Sequence, residues 1–268
     1  MHLTKHHGLG NDFLVALSTA GTPVRPDPQV ARWICDRHTG IGADGLLWGL
    51  PPSGPEADLA MVLHNSDGST AEISGNGIRC LAQAHLRSAD RADATITIET
   101  GAGLRTIVSA ATADPDVLWM SVDMGAVSPG PTIPTMVADE LTERFGPHHT
   151  TMSVGNPHLV IETADLDAVD IAAEGPRLEA SFTGGINVHF VQRVGDDHLR
   201  LVHWERGAGV TLACGSGASV TAVAASRWGL VGPEVTLDLP GGRALVGVVG
   251  DHVTLSGPAT YVGEVIVP

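Results

Sequence analysis

Residues 203–218 read HWERGAGVTLACGSGA. An ion-pair-capable Glu205-Arg206 and a flexible glycine link lead to Cys214, which stands directly before a Gly-Ser-Gly turn opening the apolar run 218–225. The pattern predicts a thiol at a helix N-terminus. The first N–H groups of a helix have no partner within it, and the helix dipole adds partial positive charge there, so a thiolate or a ligand carboxylate is stabilised. Cys214 is therefore expected to titrate below the ~8.5 of a free thiol. Gly215, Ser216 and Gly217 let a ligand approach the backbone closely. For a single free cysteine the competing account is that of a small buried hydrophobe.

Sliding the chain against itself by 140 residues strengthens the first account. It sets Asn65-Ser66-Asp67-Gly68 under Glu205-Arg206-Gly207-Ala208, Ser74-Gly75-Asn76-Gly77 under Cys214-Gly215-Ser216-Gly217, and Gly101 under Gly241. Gly10-Asn11-Asp12 finds a looser echo in Gly155-Asn156-Pro157. The chain thus reads as two copies of one unit, each supplying a polar strand end and a helix N-terminus whose donors suit a carboxylate.

The remaining segments fit such a plan. Residues 1–17 form a strand, a tight GLGND bend and a second strand; 28–38 look helical, with Val30, Ile34 and Trp33 on one face. A helix runs from about Gly75 to Arg87 with Ile78, Leu81, Ala82 and Leu86 at helical spacing, so Cys80 reads as packing. Strands are expected at 94–99, 104–109 and 117–123, and in the second half at 159–161, 188–191, 199–203 and from 235 onward. Many short strands around two central helices indicate an α+β protein of two pseudo-symmetric halves, each a mixed or antiparallel sheet or barrel wrapped around its helix. The first half is read as 1–117 with 258–268 and carries Ser74. The second, 118–257, carries Cys214.

Composition narrows the function. At 268 residues with 43% hydrophobic and 17% charged side chains, the chain is that of a folded globular protein. A net charge of −15 without an arginine cluster argues against nucleic acid. No apolar run approaches the ~20 residues of a membrane span, and MHLTKHHGLG lacks the apolar core of a signal peptide, so a cytoplasmic protein is expected. Cys35, Cys80 and Cys214 show no CxxC spacing. The 13 histidines form neither HExxH nor a His-x-His cluster with carboxylates, and the sequence assigns no metal site. Lys5 is the single lysine; unless it serves, pyridoxal phosphate chemistry through a Schiff base is excluded, and no cofactor is expected.

The ordered series GLGND, GIGADG, NSDGS, SGNGIRC, GNPH, GINV, ERGAG and ACGSGA spans residues 8–218, with PGG following at 240–242. It resembles the diaminopimelate epimerases, of the cofactor-independent racemase superfamily that includes proline racemase. The resemblance implies inversion of one α-carbon, LL to meso, for lysine and peptidoglycan synthesis. It also implies two domains that close over the substrate, a homodimer, and two cysteines at helix N-termini acting as base and acid on opposite faces. Carried onto this chain, the second cysteine is Cys214; the first falls on Ser74. A serine hydroxyl does not ionise usefully near neutrality, whereas a thiol does. The resemblance further assigns Asn65, Asn156, Asn187 and Arg206 to the distal amino-acid end of the substrate, Glu205 to the reacting ammonium, and Glu205 with His158 to tuning the thiols. By the same resemblance Asn11 is expected to line the pocket, and Gly75, Asn76, Gly215 and Ser216 to supply donors for the carbanion. Gly45 stands where many relatives carry glutamine.

Three functions remain open at this stage. The first is an epimerase of diaminopimelate. The second is a single-thiol sister enzyme, a racemase, dehydratase or isomerase of another amino acid. The third is a non-catalytic amino-acid-binding protein. The full distal-end set favours the first over the second, and Cys214 with Glu205 and His158 speaks against the third.

Overall fold

The computed structural model describes residues 1–18 and 22–267. The chain forms two compact units, Met1–Asp123 with Ser256–Pro268, and Met124–Leu255. In chain order the elements before the second unit are β1 (His2–Gly8), β2 (Asn11–Leu17), α1 (Pro28–Cys35), β3 (Gly45–Leu50), β4 (Leu59–Asn65), β5 (Thr70–Ala71), α2 (Gly75–Ser88), β6 (Ala94–Thr100), β7 (Gly103–Ala111) and β8 (Val117–Ala126), within which the boundary falls. Then follow β9 (Ser128–Pro129), α3 (Thr135–Phe145), β10 (His149–Ser153), β11 (Pro157–Glu162), α4 (Ile171–Glu179), β12 (Asn187–Gly195), β13 (His198–Glu205), β14 (Gly209–Val210), α5 (Gly215–Arg227), β15 (Glu234–Leu239), β16 (Gly242–Val249) and β17 (His252–Ile266), whose later residues belong to the first unit.

One topology is written twice. In the first unit β1 and β2 form an antiparallel hairpin, and α1 carries the chain to β3, parallel to β2. β4 returns antiparallel to β3, pairs with the short β5, and lies parallel to β6 across α2; β6 and β7 make a further hairpin. In the second unit β10, β11, β12, β13, β14, β15 and β16 repeat these pairings one for one, with α4 and α5 as the two crossovers. Both parallel pairs have the helical crossover that parallel strands require. In the first unit β17 pairs with β1 and with β8, so its sheet closes on itself as a barrel.

The central helices are buried all round rather than along one stripe. Eleven of the fourteen residues of α2 are buried, and nine of the thirteen in α5. A helix enclosed on all sides needs small or apolar side chains at nearly every position. The run ASVTAVAA in α5 supplies them, as do Ile78, Leu81, Ala82, Ala84 and Leu86 in α2. Cys80 is fully buried on α2, as packing requires.

Outer helices cover the other sheet faces. α1 sets Ala31, Ile34 and Cys35 against Leu3, Leu14, Leu46 and Trp48. Trp33 is not part of that face. It is 54% exposed, because the buried stripe at 31, 34 and 35 leaves position 33 on the solvent side. In the second unit Leu141 of α3 and Leu178 of α4 pack with Leu159, Ile161, Val188 and Phe190.

The two outer helices of the second unit were not foreseen. α3 buries only Leu141 completely and starts at Pro134 without a side-chain cap, so its periodic signal is faint. α4 contains Gly175-Pro176, which reads locally as a helix breaker. Asp170 caps it by accepting from Ala172 and Ala173, and Gly175 is required because a Cβ there would meet Trp204 Cβ at 2.5 Å.

Candidate active site

In the first unit Ser74 is the N-cap of α2. Its backbone is extended (φ −138°, ψ 121°), and its Oγ accepts the Gly77 N–H at 3.0 Å. Serine suits this position because its oxygen satisfies one of the orphan donors of the first turn. Two residues on, Asn76 is 2% exposed. Its Nδ2 donates to Asn11 Oδ1 (3.2 Å), and its Oδ1 accepts from Arg79 Nη2 (2.7 Å). Asn11 Nδ2 in turn donates to Asp44 Oδ2 (2.7 Å), and Arg37 binds both Asp44 and Asp12.

This chain of donors fixes the orientation of both amides, so the sequence-derived pair Asn11 and Asn76 does come together. Leu9 and Gly10 hold Asn11 at the start of β2 with positive φ at both turn residues, 55° and 80°, as a two-residue hairpin turn demands. Arg79, completely buried, anchors the other end; burial pushes its guanidinium down to about 10, and its Nε and Nη1 have no partner among the described residues. Asn65, at the end of β4, is not part of this group: its Nδ2 donates to Ser69 Oγ (3.0 Å) within its own turn. Gly45 lies opposite Asn65 in the β3–β4 ladder, where a Cβ would come 2.9 Å from the His64 carbonyl oxygen.

In the second unit Cys214 occupies the same place at α5. It is 3% exposed, has extended backbone (φ −120°, ψ 104°), and makes no side-chain cap bond. Its Sγ lies 3.6 Å from Ser216 Oγ. The expectation of a lowered thiol is corrected here. Burial pushes Cys214 well above the usual thiol range and the negative charge of Glu205 adds to this, while Ser216 and the Gly217 N–H act in the opposite direction with smaller effect. Desolvation outweighs the helix dipole.

The polar strand ends gather around it. Asn187 (4% exposed) donates from Nδ2 to the Pro157 carbonyl (2.8 Å) and accepts the Arg206 N–H on Oδ1 (3.0 Å), so it braces two site segments at once. Arg206 is exposed and donates from Nη1 to the Gly184 carbonyl (3.0 Å). Glu205 Oε1 accepts from Thr211 Oγ1. Asn156 Oδ1 lies 2.8 Å from His158 Nε2.

Two further residues, His189 and His203, complete the cluster. His158, His189 and His203 lie on β11, β12 and β13, and His189 is the cross-strand partner of His203. His158 Nδ1 and His189 Nε2 are 2.8 Å apart, and His203 Nε2 lies 2.8 Å from Thr211 Oγ1. Hydrogen-bond logic assigns the tautomers. With Asn156 Oδ1 accepting, His158 carries its proton on Nε2, His189 donates from Nε2 to His158 Nδ1, and the His189 Nδ1 lone pair is left over. A carboxylate only accepts, so Thr211 donates to Glu205 and takes the His203 Nε2–H. Both Nδ1 atoms are buried without a partner among the described residues. Burial pushes His158 down to about 3 and His203 to about 4, with Arg206 lowering His158 further; His189 falls well below its ordinary value, again chiefly through burial. All three are neutral imidazoles.

His189 and Cys214 are linked through Gly217. A Cβ on Gly217 would run into the His189 ring, 2.7 Å from Nδ1, so the glycine lets the imidazole edge against the first turn of α5. One nitrogen of His158, one of His189 and Cys214 Sγ all lie within 4.8 Å of one another. The sequence did carry a trace of this arrangement: His189 and His203 are polar residues inside the apolar runs NVHFV and LRLVH, at inward positions two residues from Asn187 and Glu205.

Comparison with known proteins places these residues in a family context. The family model for diaminopimelate epimerase matches residues 3–129 and 150–262. The chain is 40% identical over 275 residues to the diaminopimelate epimerase of Synechococcus elongatus, covering 98% of this chain and 96% of that one. It is 41% identical over 276 residues to that of Pelotomaculum thermopropionicum, with 98% and 97% covered. Among solved structures, a hydroxyproline epimerase from Agrobacterium vitis shares the fold at a TM-score of 0.72 and 19% identity, with 100% of this chain and 90% of the other covered.

Proposed function

Since the chain belongs to the diaminopimelate epimerase family, we propose that Cys214 and Ser74 are the two groups that exchange the α-proton when it epimerises diaminopimelate in lysine biosynthesis. The reaction takes a proton from the α-carbon of the LL isomer and returns one to the opposite face, giving the meso isomer. The observation that carries the assignment is positional: Ser74 and Cys214 are the N-caps of equivalent helices in two units of one topology. Each therefore sits at the positive end of a helix, where charge developing on a substrate carboxylate and α-carbon is stabilised. Donors at the first turns, Gly75 and Asn76 on α2 and Gly215 and Ser216 on α5, take the carboxylate as the carbanion forms.

Glu205 pairs with the reacting ammonium, and the Glu205 carboxylate and the neutral His158 imidazole together tune the Cys214 thiol. Asn11 lines the pocket, its amide aimed by Asp44 and Asn76. Arg206, Asn65, Asn156 and Asn187 read the distal amino-acid end, so a shorter substrate leaves their bonds unmade. Asn187 acts there chiefly as the brace between Pro157 and Arg206. The reaction runs without pyridoxal phosphate. Lys5, the single lysine, donates to the Gly42 carbonyl (2.5 Å) and pairs with Asp12 at 2.9 Å, an ammonium committed to structure. No helix among the described residues is long and apolar enough to cross a membrane. The proposed working form is a cytoplasmic homodimer, which light scattering after size-exclusion chromatography tests.

Proton NMR of LL- and meso-diaminopimelate with the enzyme in D₂O tests the assignment. The expected result is interconversion with deuterium entering the inverted α-carbon, abolished in Cys214→Ala and in Ser74→Ala. Exchange without inversion in the unaltered enzyme removes Ser74 from the mechanism, and absence of exchange removes both residues.

A further inference from the structure

We propose that His158, His189 and Cys214 form a binding site for a thiophilic divalent cation with a filled d shell, zinc or cadmium. The argument begins with placement. Three donor atoms of the right kinds, two imidazole nitrogens and one sulfur, lie within 4.8 Å of one another on β11, β12 and the N-cap of α5. This is the one such group of histidine, cysteine and acidic side chains among the described residues.

A tetrahedral zinc with Zn–N of about 2.0–2.1 Å and Zn–S of about 2.3 Å needs ligand atoms roughly 3.3–3.6 Å apart. The His158 Nδ1–His189 Nε2 pair, now 2.8 Å apart, has to open by about half an ångström. The sulfur has to close by about an ångström.

A second observation points to a ligand independently of this spacing. Among the described residues His189 Nδ1 is buried with no hydrogen-bond partner, and the same ring edge faces the first turn of α5. A buried lone pair without a donor costs about 1–3 kcal/mol unless something occupies it. An ion bound at Nδ1 resolves this by using the lone pair directly, whereas one bound at Nε2 moves the ring proton to Nδ1 and leaves a donor there in place of the acceptor.

Charge also balances. The imidazoles enter as neutral ligands, Cys214 as a thiolate, and Glu205, whose carboxylate bears on the thiol, supplies the second negative charge. A dication with one thiolate and one carboxylate is neutral overall, which removes the main cost of burying it. Binding forms one metal–sulfur bond and two metal–nitrogen bonds, and the thiol proton leaves to solvent, so one proton is released per ion. The nitrogen and sulfur donors select zinc, cadmium or cobalt over magnesium and calcium. Among the described residues Cys35 and Cys80 belong to no such group: Cys35 lies in the apolar cluster under α1, with Asp12 and Asp44 bearing on it only by charge, and Cys80 is buried inside α2.

The consequence for activity rests on the reading of Cys214 as a proton carrier. An ion bound there takes the sulfur lone pair that the reaction uses, so zinc or cadmium at stoichiometric levels blocks turnover and a chelator restores it.

The test titrates the freshly reduced full-length chain with cadmium under nitrogen and follows the ultraviolet thiolate-to-cadmium absorption. Expected are saturation at one equivalent, release of one proton, loss of the band in Cys214→Ser and its persistence in the Cys35→Ser/Cys80→Ser double variant. His189→Gln should weaken binding by at least the roughly 10–100-fold seen when support to a metal ligand is lost. Circular dichroism confirms that each variant is folded, and cobalt substitution gives an independent count of imidazole and thiolate ligands from its visible spectrum. The proposal is overturned by an absent band, by a band that survives Cys214→Ser, or by a folded His189→Gln protein of unchanged affinity with a cobalt spectrum lacking imidazole. Saturable binding without inhibition upholds the site and instead overturns the role of Cys214 in turnover.

Discussion

Lowering the pH should destabilise the first unit through its buried imidazoles; burial lowers His64 and His85 as well, and His6 is the one a single substitution isolates best. Its ring is completely buried on β1 against α2. Gln83 Nε2 donates to the carbonyls of Asp116 and Ala259, which fixes its amide so that Oε1 accepts from His6 Nδ1–H at 2.8 Å; His6 Nε2 then accepts from Thr4 Oγ1, also at 2.8 Å. The ring is thus satisfied as a neutral imidazole. Burial, with Arg87 and His7 as like charges, pushes it from 6.5 down to about 4. The unfolded chain binds this proton once the pH drops below 6.5, and the folded chain does not until about 4. The stability His6 permits is complete above 6.5, falls as pH decreases from 6.5 to about 4, and changes no further below that. At about 1.4 kcal/mol per pH unit, the loss at pH 5 is about 2 kcal/mol. Paired carboxylates such as Glu140 and Glu174, held low by Arg144 and Arg177, release their contribution only below the ordinary carboxylate range, so the interval from 6.5 to 5 is free of them. The assay is urea unfolding of wild type and His6→Gln at about pH 7.5 and about pH 5. The variant starts less stable, but wild type should lose about 2 kcal/mol more than the variant on acidification. Equal losses in the two proteins would refute a buried neutral His6.

Other perturbations separate positions that look alike in sequence. Gly217→Ala places a methyl group into the His189 ring and should cost about 1–3 kcal/mol and most of the activity, whereas at Gly77 the nearest atoms, Ser74 Cβ and Oγ, stand at 3.1 and 3.2 Å and Gly77→Ala should be milder; paired thermal melts decide. Arg79→Met removes a buried guanidinium whose Nε and Nη1 have no partner among the described residues, so stability should hold or rise, while loss of the bond to Asn76 Oδ1 should lower kcat/KM on the order of tenfold. Concordant losses in stability and activity would make Arg79 purely structural.

What the sequence disclosed depended on whether the cause was local. The N-caps were legible because a serine or cysteine ahead of a glycine-rich turn and a buried run is a local signature, and the duplication was legible because the landmarks keep one spacing. The His158–His189–His203 row was not, since it arises from strand register: His189 meets His203 only because β12 and β13 pair with that offset. α4 was hidden by Gly175-Pro176, a local breaker whose reason is the distant Trp204. The thiol was misjudged for a related cause. The dipole that lowers it is written in the helix start, while the burial that raises it is supplied by the rest of the fold.

The contrast between the two N-caps leads to a trade-off that can be measured. At one topological position Ser74 accepts the Gly77 N–H in a regular cap bond, while the equivalent Gly217 N–H has only the Cys214 sulfur to act on. An oxygen is a good acceptor for an orphan helix donor and a sulfur a weak one. Accepting that N–H also polarises the Ser74 hydroxyl, which strengthens it as a donor toward substrate while leaving it a poor base. A thiol at the same place weakens the cap but is a far more acidic group than a hydroxyl. Ser74→Cys should therefore lose about 1 kcal/mol of stability and raise turnover from both isomers, because one transition state serves both directions and the equilibrium constant fixes their ratio of kcat/KM. Urea unfolding gives the first quantity, and NMR progress curves started from the LL and the meso isomer give the second. A variant that is both as stable as wild type and no faster in either direction would show that the hydroxyl neither caps α2 in solution nor takes part in proton transfer.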